Sequence, residues 1–396
     1  MCAGSNNTFD KKVLNLSPLK EENMAITIKE VTTAKELKAF YQFQNKLYKD
    51  CDAYVPTLDM DQKASLTNDP ALEYCTRKMW LAYKENKVVG RIQAIVNPRY
   101  NEFYHTKRGR FGWYDFVNDL EVAKALMDTA SKWLKQQGLE VIHGPLAYNT
   151  LGRQGMLISG FENTPPTNCL YNYPYYPQFM EKMGFEKECD WIQYKLNASQ
   201  ATPEKLTRLA DILMQRYNLR LLDITKIKGQ ERDVLIDKFF KIYNECFKAV
   251  HNFIPLTPSE IKKTGSAYFK LLKPELTCLV VDENNDVAAF GLCLPSLSEA
   301  FKKAKGKVFP FGWYHILKGY KRYNTIEQMM VGSSPAWALK GLSAIYHAQL
   351  SSNFQKYKIA HAITNPQIDT NTAAIKVWES YDHEEFMRRR CWCRPL

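Results

Sequence analysis

The sequence predicts an α/β protein built from two tandem modules. Three observations predict it. Strand-like runs alternate with amphipathic helical runs between residues 24 and 200. The same order recurs between 201 and 396. A weak internal repeat joins the two halves: LAYKENKVVGRIQAIVNP (81–98) resembles LVVDENNDVAAFGLCLP (279–295), each a strand, a charged turn and another strand.

A chain of 396 residues is long enough for two domains, and 45% hydrophobic content suits sizeable cores rather than a mainly disordered chain. No apolar run reaches transmembrane length and no charged-then-apolar leader is evident, so a cytoplasmic protein is expected. The ten cysteines lack paired metal spacing, which favours reduced thiols and no metal. A formal charge of +12 suits nucleic acid, an anionic lipid surface, an anionic cosubstrate, or simply a solvated surface.

Taken in order, residues 1–23 are polar and aperiodic and read as a disordered tail, with Met24 as an alternative start. Ile26 to Val31 is strand-like. Thr33 and Glu36 then have capping-box spacing ahead of a helix carrying Leu37, Phe40 and Leu47. Strands follow at 80–83, 88–96 and 110–116. The helix at 119–137 has Ala123, Leu126, Ala130, Trp133 and Leu134 on one face, and Gly138 ends it before a strand at 140–143.

NASQATPE (197–204) reads as the module boundary, with Thr202 and Pro203 suited to the start of the next helix. A strand at 221–224, a helix through Leu235 and Phe247, and a strand at 326–331 follow. Gly332 to Pro335 then turns into a helix bearing Trp337 and Ile345. A strand at 360–364, a helix at 372–381 and a last strand at 386–392 complete the second half. FGWY occurs at both 111–114 and 311–314, but at different places in the order, so the coincidence is taken as accidental.

The segment from Gly144 to Leu196 is the least generic part of the chain. It leaves a strand at Gly144-Pro145, carries Asn149, Arg153 and Gln154 on a polar loop, and crosses Tyr171-Asn172-Tyr173-Pro174-Tyr175-Tyr176-Pro177. A short helix capped by Gly184 and the strand Asp190 to Tyr194 close it. The phrases GPL, GML, YNYPYYPQFMEKMGF and DWIQY, with VVGRIQAIVN (88–97) and FGWYDFVND (111–119) upstream, resemble the bacterial ceramide-synthase-like proteins. These form a tandem-domain branch of the GNAT acyltransferase superfamily.

The resemblance implies two GNAT-like modules at 24–200 and 201–396, each a mixed central sheet flanked by helices. It also implies acyl-CoA as cosubstrate and an amine acceptor, with a long-chain amino alcohol as the leading expectation. Such an enzyme needs a slot for pantetheine, N–H groups at a helix N-terminus for the pyrophosphate, a base for the amine and a donor for the departing thiolate. Val331, Gly332, Ser333, Ser334, Ala336 and Trp337 are the expected pyrophosphate loop, or else an ordinary strand-to-helix turn. Thr364 and Asn365 are expected beside acyl-CoA. The matching junction of the first module ends in Asp119, where a phosphate is unwelcome, so acyl-CoA is assigned to the second module and the acceptor to the first.

Tyr171 is the candidate proton donor, Asn172 holds a carbonyl or hydroxyl, and Tyr175 and Tyr176 shape the acceptor cleft together with Asn149 and Arg153. Alternatively, the aromatic segment packs the modules together. Tyr243-Asn244 with His251 to Glu260 resembles the family's helix-and-loop motif. His251 is the candidate base, and Asn244 a substrate contact; a structural histidine is the other reading.

Leu151-Gly152-Arg153 departs from the acidic residues usual in the family. That departure motivates a non-enzymatic alternative, a lipid- or CoA-binding module. An aminoacyl-tRNA-dependent transferase is the other alternative, with RNA as its partner. The lysines at 302–307 and FPFGWYHILKGYKRY (309–323) suit an anionic membrane, RNA or a solvated insertion.

Overall fold

The computed structural model describes residues 25–200, 202–248 and 250–396. The expected tail at 1–23 and the alternative start at Met24 lie outside them.

In the first half, β1 (Thr27–Glu30), α1 (Ala34–Leu47) and α2 (Asp59–Thr67) precede the hairpin of β2 (Thr76–Lys84) and β3 (Lys87–Val96). Then come α3 (Pro98–Phe103), β4 (Arg108–Phe116), α4 (Leu120–Gln136), β5 (Val141–Gly144), β6 (Met156–Ser159), α5 (Tyr175–Lys182) and β7 (Glu186–Asn197). The second half opens with α6 (Glu204–Arg216), β8 (Arg220–Leu221), α7 (Gly229–Cys246) and α8 (Pro258–Phe269). It continues with the hairpin of β9 (Thr277–Val281) and β10 (Val287–Pro295), then α9 (Ser298–Ala304), α10 (Gly312–Lys321) and β11 (Thr325–Ser333). It ends with α11 (Ser343–Lys356), β12 (His361–Ile363), β13 (Gln367–Ile368), α12 (Thr372–Trp378) and β14 (His383–Pro395).

Local chemistry explains several boundaries. Thr33 and Glu36 form the reciprocal capping box expected at the start of α1. Asp119 caps α4 by accepting from the N–H groups of Glu121 and Val122, and the helix buries Val122, Leu126, Ala130 and Leu134 against β2 to β4. Past α5, Gly184 has φ +75° and the Phe185 N–H donates to Met180 O at 3.0 Å, a glycine cap at the position expected from the sequence. Thr202 does not cap α6; Pro203 takes that place without a side-chain bond. The turn after β11 is longer than the sequence suggests. Val331, Gly332 and Ser333 are still strand, and Trp337 belongs to a single 3₁₀ turn, so α11 starts only at Ser343.

The strands form a 14-stranded sheet in the order β1-β2-β3-β4-β5-β14-β7-β12-β11-β10-β9-β8, with β6 added to β14 and β13 to β7. In each half an antiparallel hairpin leads to a strand that pairs in parallel with the strand after its helix: β4 with β5, and β11 with β12. The final strands are exchanged. The chain's last strand, β14, lies against β5 of the first half, whereas β7 of the first half lies against β12 of the second. The two long exchanged strands pair with each other from His383 to Cys393 and close the sheet at its centre. Separate cores lie under α4, under α11 and beneath α7, where Phe239 meets Phe290 at 4.8 Å.

Candidate active site

A cavity of about 590 Å³ lies between the halves. The first half contributes the end of β4, the loop 145–153 and the 167–176 segment; the second contributes α8, the end of β10, α9 and β11. Asn149, Arg153, Tyr171, Asn172 and Tyr176 all line it, so the loop and the tyrosine segment singled out in the sequence do meet on one wall.

Their polar atoms are largely committed to the protein. Asn172 braces β6, accepting from Leu157 N at 2.7 Å and donating to Leu157 O at 3.0 Å. The Tyr171 hydroxyl donates to Phe161 O at 3.0 Å and accepts from the Cys51 thiol. The Tyr176 hydroxyl is buried with Tyr48, 2.8 Å away, and accepts from Phe116 N at 3.0 Å. Arg153 ties Thr57 to the carbonyl of Thr167. Asn149 donates to Glu260 at 2.7 Å, and the same buried carboxylate accepts from the Tyr74 hydroxyl at 2.8 Å and from Thr257 N. This network clamps α8 of the second half onto the first.

Other expected residues lie elsewhere. Tyr175 is outside the cavity, its hydroxyl donating to Phe116 O at 2.7 Å. Asn244 holds both backbone groups of Leu256 and pins the loop after α7. His251 also lies outside the cavity, with Nε2 2.8 Å from Glu188. Burial opposes its charge, but hydrogen bonds and attraction from Cys189 and Glu188 prevail and raise it to about 9. An imidazole already protonated at neutral pH, and remote from the cavity, is a poor general base. His143 and Arg108 share the same carboxylate, so His251 belongs to a charge cluster around Glu188.

The cavity contains a residue that sequence reasoning missed. Glu327 on β11 is 4% exposed and accepts from the Ser296 hydroxyl at 2.7 Å. Burial pushes its carboxyl up to about 7, against the pull of Ser296 and Ser298. The sequence did hold a signal: in Thr325-Ile326-Glu327-Gln328-Met329-Met330, a single carboxylate interrupts an otherwise apolar-rich strand. Its inward direction depends on which strands flank β11.

Register supplies a comparison within the molecule. Glu327 pairs with Ile363 in the last of three parallel positions before β11 and β12 part. The corresponding position of β4 and β5 pairs Arg110 with His143. Arg110 is buried and donates to the carbonyls of Ala147 and Tyr148 at 2.8 and 2.9 Å, locking the loop that follows β5. The first half therefore has an arginine where the second has its carboxylate. The corresponding helix N-terminus in the first half is filled by Asp119, itself paired with Lys84 at 2.5 Å.

The residues of the second half fit an acyl-CoA. Beyond Glu327 the strands β11 and β12 are no longer paired. The buried acceptors Gln328 Oε1 and Asn365 Oδ1, one on β11 and one just past β12, lack hydrogen-bond partners. Amide N–H groups of a pantetheine are the kind of donor they call for. A register shift against β10 leaves Met329 as an extra residue, and such bulges free a backbone group from the ladder. Leu342 offers α11 no side-chain cap, and Gly341 before it has φ +75°. Lys340 lies over the rings of Trp337 and Tyr217 at 4.3 and 5.1 Å.

The remaining expected contacts are displaced from this loop. Gly332 packs beneath Phe290, Ser334 N is bonded to Ala288 O, and Thr364 is bonded to Tyr194 through both its N–H and its hydroxyl. The uncapped helix start thus lies at the first turn of α11, beyond 331–337.

No family model matches the chain. It is 27% identical over 369 residues to Protein YghO of Escherichia coli (strain K12), covering 91% of this chain and 93% of that one. It is 26% identical over 308 residues to the bacterial ceramide synthase of Caulobacter vibrioides, covering 76% and 78%. Among solved structures, a tandem GNAT protein from the clavulanic acid biosynthesis pathway superposes with a TM-score of 0.55 at 11% identity. The match covers 94% of this chain and 98% of that one, and the likeness is one of fold.

Proposed function

We propose that this chain, which is similar to a bacterial ceramide synthase and shares the fold of a tandem GNAT protein, is an acyltransferase that moves an acyl group from acyl-CoA to the amine of a long-chain amino alcohol. One observation carries the reading: a buried carboxyl poised near neutrality, Glu327, on the wall of a cavity that both halves build.

Glu327 removes a proton from the acceptor ammonium, and the free amine attacks the thioester carbonyl. General-base assistance of this kind contributes about 10²–10⁴-fold. The backbone of Met329, released from its ladder, donates to the carbonyl oxygen as it gains charge. Gln328 and Asn365 hold the pantetheine amides, and the first turn of α11 with Lys340 receives the phosphates. The tetrahedral adduct then breaks its C–S bond, and the departing thiolate takes up the proton that the attacking nitrogen gives up as the amide forms.

This assignment moves proton transfer from His251 to Glu327. Tyr171 becomes part of the wall, because its hydroxyl hydrogen is already held by Phe161. The apolar share of the wall, including Leu294, Leu297, Phe301 and Met329, supports an acceptor with a hydrocarbon chain. Incubating the purified protein with a panel of acyl-CoAs and long-chain amino alcohols, followed by mass spectrometry, tests the proposal. N-acyl products that require Glu327 are expected. Turnover restricted to short polar amines would remove the amino-alcohol assignment.

A further inference from the structure

The α9–α10 hairpin inserted between β10 and β11 presents a cluster of exposed aromatic and aliphatic side chains. Phe309 and Phe311 are 77% and 72% exposed, and Trp313, Tyr314 and Leu317 are each at least 45% exposed. Burying such side chains in the protein is the rule, and an exposed cluster of them marks an interaction surface. The Trp313 indole N–H donates to Pro310 O at 2.9 Å. Its ring can therefore enter an apolar phase without losing a hydrogen bond.

Charge identifies the partner. From Ser298 to Asn324 there are seven Lys and Arg residues against a single carboxylate, Glu299, which pairs with Lys302 at 3.3 Å. Lys305, Lys307, Lys318, Lys321 and Arg322 are exposed around the aromatic cluster. Aromatic side chains flanked by basic ones match the boundary of an anionic bilayer, where rings settle at the headgroup level and cations meet lipid phosphate. RNA would call for bases stacked on aromatic faces along a groove. Here the most exposed rings cluster at the turn between two helices instead.

The inner side of the same hairpin adds a second argument. Phe301 of α9 and Tyr320 of α10 line the cavity between the halves. The small residues Gly312 and Gly319 let the hairpin pack closely, since a Cβ at either would meet Lys307 O or the Ala300 side chain within 3 Å. One closely packed hairpin thus contributes to the cavity wall and carries the exposed patch.

We propose that the α9–α10 hairpin docks the protein on an anionic membrane surface, with Phe309, Phe311 and Trp313 entering the interface and the surrounding lysines facing lipid phosphates. The docked hairpin places the cavity against the bilayer.

Cosedimentation of the full chain with vesicles tests this. Binding is expected to phosphatidylcholine vesicles containing about a third phosphatidylglycerol, with little binding to phosphatidylcholine alone. Each basic residue near such a surface is worth roughly fivefold in partitioning at low salt, so binding should fall as salt rises. The double variant Phe309→Ser/Phe311→Ser and the triple variant Lys305→Gln/Lys307→Gln/Lys318→Gln should each weaken partitioning at least tenfold with unchanged Tm. A control triple, Lys124→Gln/Lys132→Gln/Lys205→Gln, should bind like the parent. Equal loss in the control would reduce the effect to net charge and overturn the proposal. So would undiminished binding by both hairpin variants, or no vesicle binding by the parent. Two further results would also overturn it: a parent dimer that dissociates in the serine variant without vesicle binding, or tRNA binding that depends on the hairpin while vesicles are ignored. None of these outcomes depends on acyltransferase activity.

Discussion

A carboxyl that titrates near 7 is half ionised in a neutral cell, so Glu327 should reveal its role in a pH profile. As the base, it makes kcat/KM rise with pH through about 7, and Glu327→Gln should lower the rate by about 10²–10⁴-fold and remove that limb. Stability follows the opposite course. The folded value lies above the ordinary 4.5, so the contribution is complete below about 4.5 and is lost as pH rises through about 7. Melting curves of the Gln variant should lack this dependence. Tyr171→Phe offers a contrast. Its hydroxyl is held by Phe161, so turnover should change less than about threefold while stability falls by about 1 kcal/mol, the net worth of one hydrogen bond. A loss on the order of a hundredfold at unchanged Tm would return the acid role to Tyr171. Asn149, Arg153 and Tyr171 were legible as cavity residues because polar and aromatic groups between prolines make a poor core. Glu327 and the fate of His251 were not. A partner such as Glu188, 63 residues from His251, enters only through strand order.

At the scale of elements, local rules worked where short-range chemistry sets the boundary, as with the box at Thr33 and Glu36 and the glycine after α5. They failed after β11. Ladder bonds to β10 extend the strand through Ser333, so the glycine that resembled a phosphate loop lies in the sheet instead. The first turn of α11 now carries that prediction. Ser343→Asp places an anion at an uncapped helix start, which should raise stability by about 0.3–1 kcal/mol through the helix dipole. The same charge repels the phosphates of CoA. The variant should melt slightly higher alone, yet lose most of the Tm rise that acyl-CoA gives the parent. An undiminished ligand shift would move the phosphates away from α11.

For the whole molecule, the tandem α/β architecture was legible from the repeated order of strands and helices, whereas the exchange of β7 and β14 was not. Both strands satisfy the same alternating pattern, and periodicity carries no information about which neighbour a strand chooses. The exchange predicts that fragments 25–199 and 202–396 will not unfold cooperatively when expressed separately. Coexpression should yield a complex with a single transition by calorimetry, and two independently folded fragments would contradict this. A further consequence concerns time. On the ribosome, β5 appears about 250 residues before its partner β14 has been made. At typical elongation rates, the first half therefore waits roughly 10–50 s with a bare sheet edge. Nascent chains of this protein are expected to engage holding chaperones during that interval, and to aggregate in their absence even when the finished protein is stable.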